Sequence, residues 1–367
     1  MKVSFPYMGT PIGYKKIAAL LGHEVIDPPK PTQRTIDLGV KYSPEFACFP
    51  MKVLLGSYIE AIELGADTLI SSGGHGPCRA GFYGEVQSKI LRSMGYDVDL
   101  IIFDSIKRDP LGFYRKVKKI KGKHSWRDVW HALKFTYRTI KLLDFLEQQI
   151  ETVRAYEVHK GQSTKVWELI EKKIDAAYSD GELERVEKEA QEMIDGIKTF
   201  QVPEEQKIRI GIVGEIYVVM ESSVNMRVEE RLGELGCEVR RSQYLSEWVD
   251  FNLIPARYSP SREPEILRKG EKYIEIIIGG HAKQNMGAIV DYKEQGFDGI
   301  VHLMPFGCLP ELISQSIIPK VSEDLDIPVL TLSLDEQTGR ANSLTRLEAF
   351  VDLIRIKKNG KRIIQVS

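Results

Sequence analysis

The chain has 367 residues, of which 43% are hydrophobic and 28% are charged, and its formal net charge is -1. This composition is typical of a folded protein with room for two domains, and it argues against a disordered chain. A net charge near zero provides no long-range field for nucleic acid or an anionic membrane, so composition implies neither partner.

The chain begins directly with a strand-like run at residues 1–6. It does not begin with the long apolar stretch of a signal peptide or a transmembrane helix. We therefore expect a cytoplasmic protein. Thiols stay reduced in that compartment, so we expect the four cysteines to be structural, catalytic or metal-binding instead of disulfide-bonded.

Strand and helix patterns alternate over residues 1 to about 105 and again over residues 207 to about 340. This alternation predicts an α/β protein with two Rossmann-like parallel-sheet domains. Helix patterns end at Gly22 and Gly236, where the next strand begins. His23 and Cys237 follow these glycines, which predicts them at the sheet end away from the strand carboxyl termini. We interpret both as structural.

The intervening residues carry Lys, Glu, Leu and Ile at helical spacing. The pattern predicts a helical segment that acts as a lid or an oligomer surface, and we expect a homodimer. The predicted regions are 1–106, 107–206 and 207–367. We interpret the basic run at 115–123 as a solvated helix face, with a docking patch for an acidic partner or a phosphorylated ligand as the alternative.

Neither a GxGxxG nor a GxxxxGK[ST] motif occurs in the sequence. The chain is therefore not expected to bind a nicotinamide dinucleotide through that fingerprint or to hydrolyse ATP through a P-loop.

Three cysteines lie in loops next to predicted helix starts. Cys78 and Cys308 each follow a strand-like run and a glycine-containing turn, at similar distances from a Gly-x-Asp start, and Cys48 precedes an apolar helix at 53–64. The carboxyl edge of a parallel sheet is where ligands bind, and a helix N-terminus favours the thiolate. We therefore predict one site in the cleft, with two cysteines from the first domain and one from the second.

The cysteines lack the compact CxxC spacing of many zinc and ferredoxin sites. Zinc held by three thiolates is one interpretation. Loops rich in Gly, Pro and aromatic residues favour an iron-sulfur cluster, because they let N–H groups approach the sulfurs and exclude water. Three thiolates would leave one metal position open, as in a catalytic site.

Four further residues are candidates for catalysis because they lie near these loops. Each also has a structural interpretation: a histidine can cap a loop or be buried, and a carboxylate in the first turn of a helix is favoured by the dipole. Glu215 and the acidic pair at 335–336 are weaker candidates of the same kind. The four catalytic candidates are His75, Arg79, His281 and Glu311.

Segments at 47–52, 73–83, 304–311 and 335–341 resemble the 2-hydroxyacyl-CoA dehydratase family, in particular its single-subunit dehydratase-like branch. The resemblance runs over nearly the whole chain. It implies two Rossmann-like domains with added helices and a 4Fe-4S cluster held by three cysteines, here Cys48, Cys78 and Cys308. It also implies a partner, a separate ATP-hydrolysing iron-sulfur activator that supplies low-potential electrons.

On this resemblance, the reaction would be a reductive or radical dehydration or reduction of an acyl-CoA or another small molecule at an open iron. Characterised dehydratases are dimers of different subunits, whereas the motifs here match the single-subunit branch better. A double-cubane branch needs extra cysteine ligands, for which Cys237 alone is left over. A non-catalytic electron-transfer or cluster-assembly scaffold is the alternative.

Overall fold

The computed structural model describes residues 1–73, 78–103, 106, 109–337 and 340–366. Its strands form two four-stranded sheets, and the neighbouring strands in each are parallel. The strands are β1 (Lys2–Ser4), β2 (Glu24–Val25), β3 (Thr68–Ser72), β4 (Asp99–Phe103), β5 (Ile208–Gly214), β6 (Cys237–Arg241), β7 (Gly299–Pro305) and β8 (Val329–Leu334). The sheet orders are β2-β1-β3-β4 and β6-β5-β7-β8. The prediction of two Rossmann-like parallel-sheet domains is confirmed.

Helices accompany both sheets and fill the chain between them. Around the first sheet lie α1 (Ile12–Leu20), α2 (Gln33–Tyr42), α3 (Phe49–Glu63) and α4 (Tyr83–Ser93). Between the sheets come α5 (Pro110–Lys121), α6 (Trp126–Arg154), α7 (Gln162–Ala176) and α8 (Asp180–Asp195). The second sheet has α9 (Ile216–Met220), α10 (Val228–Glu234), α11 (Leu245–Asn252), α12 (Glu263–Gly270), α13 (Ala282–Glu294), α14 (Leu309–Leu325) and α15 (Arg340–Val366). In the described part of the chain, no helix is long and apolar enough to cross a membrane.

The central strand β7 shows why these segments form a covered parallel sheet. Every residue of β7 is buried, which is expected for a parallel strand with helices on both faces. Val301 and Leu303 join the core of the second domain, together with Phe350 and Val351 of α15. The strand therefore stays buried up to its carboxyl end at Pro305.

Helix α3 belongs to the cores of both domains. Phe49 and Val53 pack in the core of the second domain, whereas Tyr58 and Ile59 pack in that of the first. Burial on both sides accounts for the almost continuous apolar sequence of α3. It also positions the start of α3, where Cys48 lies, at the junction of the two domains.

Helix α6 is 29 residues long and also contacts both domains. A Cβ added at Gly13 of α1 would lie 2.8 Å from the side chain of Ile140, so α1 and α6 pack closely. The next residue of α6, Lys141, forms an ion pair with Asp250 at 2.5 Å. Because α6 packs on both domains, the limits at 106 and 206 stay a prediction.

The helix pair α2–α3 has a counterpart in α12–α13. A Cβ at Gly56 would lie 1.9 Å from the carbonyl oxygen of Thr35, and one at Gly287 would lie 1.9 Å from that of Ile266. Each crossing also has a second glycine, at the same separation along the chain, in the partner helix. These glycine pairs are Gly39 with Gly56 and Gly270 with Gly287. Only glycine permits the backbones to approach this closely.

Candidate metal centre

Cys48 and Cys308 occupy the same kind of position, the residue before the first turn of a buried helix. Cys48 precedes α3 and Cys308 precedes α14, and each helix has a proline in its first turn. Proline suits that turn because its missing N–H has no intrahelical partner there. Cys308 follows β7 through Gly307, whose positive φ of 74° makes the sharp turn from strand to helix.

Cys78 is the corresponding residue of the first domain, after β3. It precedes a short 3-10 turn, Arg79–Phe82, which leads into α4. Residues 74–77, which include the predicted catalytic His75, lie outside the described residues. Cys78 is half-buried, whereas Cys48 and Cys308 are buried.

The loops that carry the three cysteines meet at the junction between the domains. Cys48 and Cys308 pack in one buried cluster with Met51. The Arg79 guanidinium, next to Cys78, donates to the carbonyl oxygen of Phe46 at 2.6 Å and also to that of Gly307. One side chain therefore ties the Cys78 loop to the two other cysteine loops.

The surroundings of the three cysteines favour the neutral, protonated thiol. Burial raises the pKa of Cys48, Cys78 and Cys308, and the negative charge of Glu215 adds to the effect at all three. The Tyr83 hydroxyl lies within hydrogen-bonding distance of the Cys48 sulfur. A metal bound here would have to displace the thiol protons, so its affinity would rise with pH.

Cys237 differs from these three in its location. It is the first residue of β6, at the amino end of the strand, and it packs in the core of the second domain. Burial raises the pKa of its thiol to about 12. His23 lies just before β2, where its Nε2 is 2.7 Å from the carbonyl oxygen of Ile120. Both positions agree with a structural interpretation.

Glu215 is an acidic residue whose negative charge raises the pKa of all three cysteines. It precedes α9, and its Oε2 accepts a hydrogen bond from the backbone N–H of Val218 at 3.2 Å. Burial raises the pKa of its carboxyl group to about 7, and the charge of Glu311 contributes. Glu215 can therefore hold a proton near neutral pH.

Glu311 lies fully buried in the first turn of α14. Its Oε2 accepts from the side-chain amide of Asn285 at 2.8 Å and is 2.7 Å from Nε2 of His302. The other ring nitrogen of His302 is 3.2 Å from the Thr331 hydroxyl. Among the described residues, Oε1 of Glu311 has no hydrogen-bond partner.

His281 precedes α13 on the same side of the site. A Cβ at the preceding Gly280 would lie 2.6 Å from Pro310 of α14, so this loop closes on the helix that carries Glu311. Burial lowers the pKa of His281, and the charge of Glu311 opposes that shift. Its Nδ1 is buried without a partner in the described part of the chain. The structure thus brings His281 and Glu311 within electrostatic range of each other.

Sequence reasoning did not select His302, Asn285 or Tyr83, and it ranked Glu215 low. A histidine inside the otherwise apolar run of β7 was the one available signal, because a buried polar group needs a partner. Glu336, another weak candidate, forms an ion pair with Lys52 of α3 at 2.8 Å. That pair links the two domains.

No group of three or more His, Cys, Asp or Glu side chains within the described ranges is arranged to hold a metal ion. Comparisons with protein-family models and with curated proteins find no match for this chain.

Proposed function

We propose that the chain is an iron-sulfur protein in which Cys48, Cys78 and Cys308 hold a 4Fe-4S cluster with one iron open to a substrate. The observation that supports this most directly is the meeting of the three cysteine loops. Cys48 and Cys308 belong to one buried cluster, and Arg79, next to Cys78, hydrogen-bonds to both of their loops.

The donor set suits a metal that prefers sulfur ligands. All four cysteines are free, and thiolates are the ligands that iron-sulfur clusters and zinc prefer. The choice of a cluster over zinc rests on the resemblance and on the cysteine loops, which are rich in Gly, Pro and aromatic residues.

When bound, such a cluster supplies single low-potential electrons and a Lewis-acidic iron. The protein contributes charge and protons around it. Arg79 provides a cation beside Cys78, which suits a carboxylate or a polarised carbonyl. Glu215 can hold a proton for a leaving oxygen, because burial raises the pKa of its carboxyl group to about 7. Glu311, oriented by His302 and Asn285, offers its unpartnered oxygen as an acceptor.

The electron source and the reaction class rest on the resemblance to 2-hydroxyacyl-CoA dehydratases. The proposed partner is a separate ATP-hydrolysing activator, and the proposed substrate is an acyl-CoA or another small molecule that undergoes dehydration or reduction. The sequence has no phosphate-binding loop motif, which agrees with ATP hydrolysis on another chain. The cytoplasmic location and the homodimer are part of the same proposal.

Anaerobic purification followed by iron and sulfide analysis tests the cluster. We expect about four irons per chain, and loss of most of them in Cys48→Ser, Cys78→Ser and Cys308→Ser. Cys237→Ser is the matched control, because this cysteine is buried at the amino end of β6 and should keep the full iron content. A colourless zinc protein, or loss of iron in Cys237→Ser alone, would contradict the assignment.

Addition of an acyl-CoA to the reduced protein separates an enzyme from an electron-transfer or assembly scaffold. An enzyme with an open iron should show a changed electron paramagnetic resonance spectrum. An unchanged spectrum across a series of acyl-CoA esters would favour the scaffold.

A further inference from the structure

The apolar surface of the first two turns of α6 extends beyond the face that is buried. Val129 and Ala132 face the protein and are buried. Trp126, Trp130 and Leu133 follow one another at helical spacing on the solvent side. Trp130 is 70% exposed. A helix stripe of this kind facing water indicates an interaction surface, because single scattered apolar residues are the ordinary case.

Helix α5 extends this stripe into a larger patch. The ring of Tyr114 stacks on that of Trp126, with centroids 5.5 Å apart, and Leu111 is 68% exposed one turn earlier. We call Leu111, Tyr114, Trp126, Trp130 and Leu133 the hairpin surface, because α5 and α6 form a helical hairpin there.

The hairpin is also the most basic part of the chain. Residues 110–134 contain eight Lys and Arg against one Asp, a net charge of +7 in a chain whose total is -1. Six of these basic residues are exposed, and in the sequence they lie between or next to the residues of the hairpin surface. They are Arg115, Lys118, Lys119, Lys123, Arg127 and Lys134. The near-neutral total therefore hides one strongly cationic region.

The positive charge and the apolar side chains of the hairpin surface together indicate which kind of partner binds there. A second copy docked on the same face through a twofold axis would bring two strongly basic hairpins together, which is repulsive. Nucleic acid supplies negative charge but no apolar phase for Leu111 and Leu133. An anionic bilayer supplies both, since basic side chains bind its surface while Trp and Leu enter the headgroup boundary.

We propose that the hairpin surface docks on an anionic lipid bilayer, with α5 and the start of α6 lying in the headgroup layer. Tyr114 and the two tryptophans suit that depth, because their amphipathic rings prefer the membrane interface. Peripheral binding of this kind needs no membrane-spanning helix. The inference is independent of the iron-sulfur function.

Co-sedimentation with vesicles tests it on the full chain. We expect binding to vesicles of phosphatidylcholine with 30% phosphatidylglycerol and none to phosphatidylcholine alone. Lys118→Glu/Lys123→Glu should weaken binding on the order of 30-fold or more, since each basic side chain contributes about fivefold near an anionic surface. Trp130→Ser should weaken it several-fold, and this loss should persist at high salt.

Matched controls are Lys160→Glu, an exposed lysine outside the hairpin, and Ile356→Ser, an apolar residue on α15 that is 73% exposed. Both should bind like the wild type, and circular dichroism should show that all variants fold. Failure of the wild-type chain to bind anionic vesicles, or equal binding by the hairpin and control variants, would overturn the proposal. Binding to soluble poly-glutamate without vesicle binding would also overturn it and would identify an acidic protein as the partner.

Discussion

The two α/β domains share a scaffold and differ in what they add to the site. Both have the same strand order, the same glycine-mediated helix crossing, and a cysteine after the strand that lies third in its sheet. They differ at the residue before the second helix of each crossing pair, which is α3 in the first domain and α13 in the second. Cys48 precedes α3 in the first domain, whereas His281 precedes α13 in the second. Two similar scaffolds thus carry different side chains at matching positions.

This difference makes the site asymmetric. The first domain supplies two thiols, whereas the second supplies one thiol together with two buried polar atoms, Nδ1 of His281 and Oε1 of Glu311, that have no partner among the described residues. Buried polar atoms without partners are costly and rare. Under the proposed function, these two atoms are the second domain's candidates for contact with a substrate.

Substitutions at the glycine crossings should cause the largest loss of stability. They test whether the crossing is equally important in the two domains. Gly56→Ala and Gly287→Ala should each lower the free energy of unfolding by about 3 kcal/mol or more, because the new Cβ would overlap a backbone carbonyl. Denaturant unfolding measures this. Gly181→Ala of α8 is the control, since no atom lies within 4 Å of its added Cβ, and alanine should leave stability equal or higher.

A large loss in Gly287→Ala with none in Gly56→Ala would break the comparison between the domains.

The buried carboxylate after Cys308 has no equivalent in the first domain. Glu311→Ala should cost about 3 kcal/mol, because it leaves the His302 and Asn285 donors buried without an acceptor. Glu85 stands in the first turn of α4, the matching helix after Cys78, but it is exposed. Glu85→Ala should therefore cost less than about 0.5 kcal/mol in the same unfolding assay.

A double-mutant cycle with His302→Ala isolates the interaction between the two side chains. A coupling near zero would show that the His302–Glu311 contact has no role in stability.

The smallest effect concerns the junction between the domains. Glu171 lies in a polar pocket that includes Thr10 from the first domain and Met220 from the second. Burial, with a contribution from Glu147, raises the pKa of Glu171 to about 7. The folded chain therefore holds this proton more tightly than the unfolded chain, and stability should fall as pH rises from about 4.5 to about 7.

Glu171→Gln should reduce this fall between pH 5 and pH 8 by about 1–2 kcal/mol, measured by denaturant unfolding at both pH values. Glu187→Gln, at an exposed position on α8, should leave the slope unchanged. An unchanged slope in Glu171→Gln as well would mean that this carboxyl group does not titrate with folding.

Much of the scaffold was predictable because it depends on local pattern. Apolar runs followed by glycine turns located β3 and β7, and glycines at helix ends placed Cys237 at the amino end of β6. The joint roles of α3 and α6 were not predictable, because periodicity shows which face of a helix is buried but not which domain covers it.

The surroundings of the cysteines were harder to predict for a related reason. His302 and Glu311 lie on a strand and the following helix, so their contact depends on how β7 packs against α14. The basic run at 115–123 was visible, but its significance depends on tryptophans that fold beside it on α6. Averages over a whole sequence, such as a net charge of -1, conceal such regions.

Helix α6 also has a mechanical consequence. At 29 residues it is about 43 Å long, with the hairpin surface at its first turns and Glu147, which forms an ion pair with Arg241 of β6, two turns before its end. A rigid rod of that length that tilts by about 5° about one end moves its other end by about 4 Å. A tilt of α6 about its inner end would therefore move the hairpin surface by about the width of a side chain.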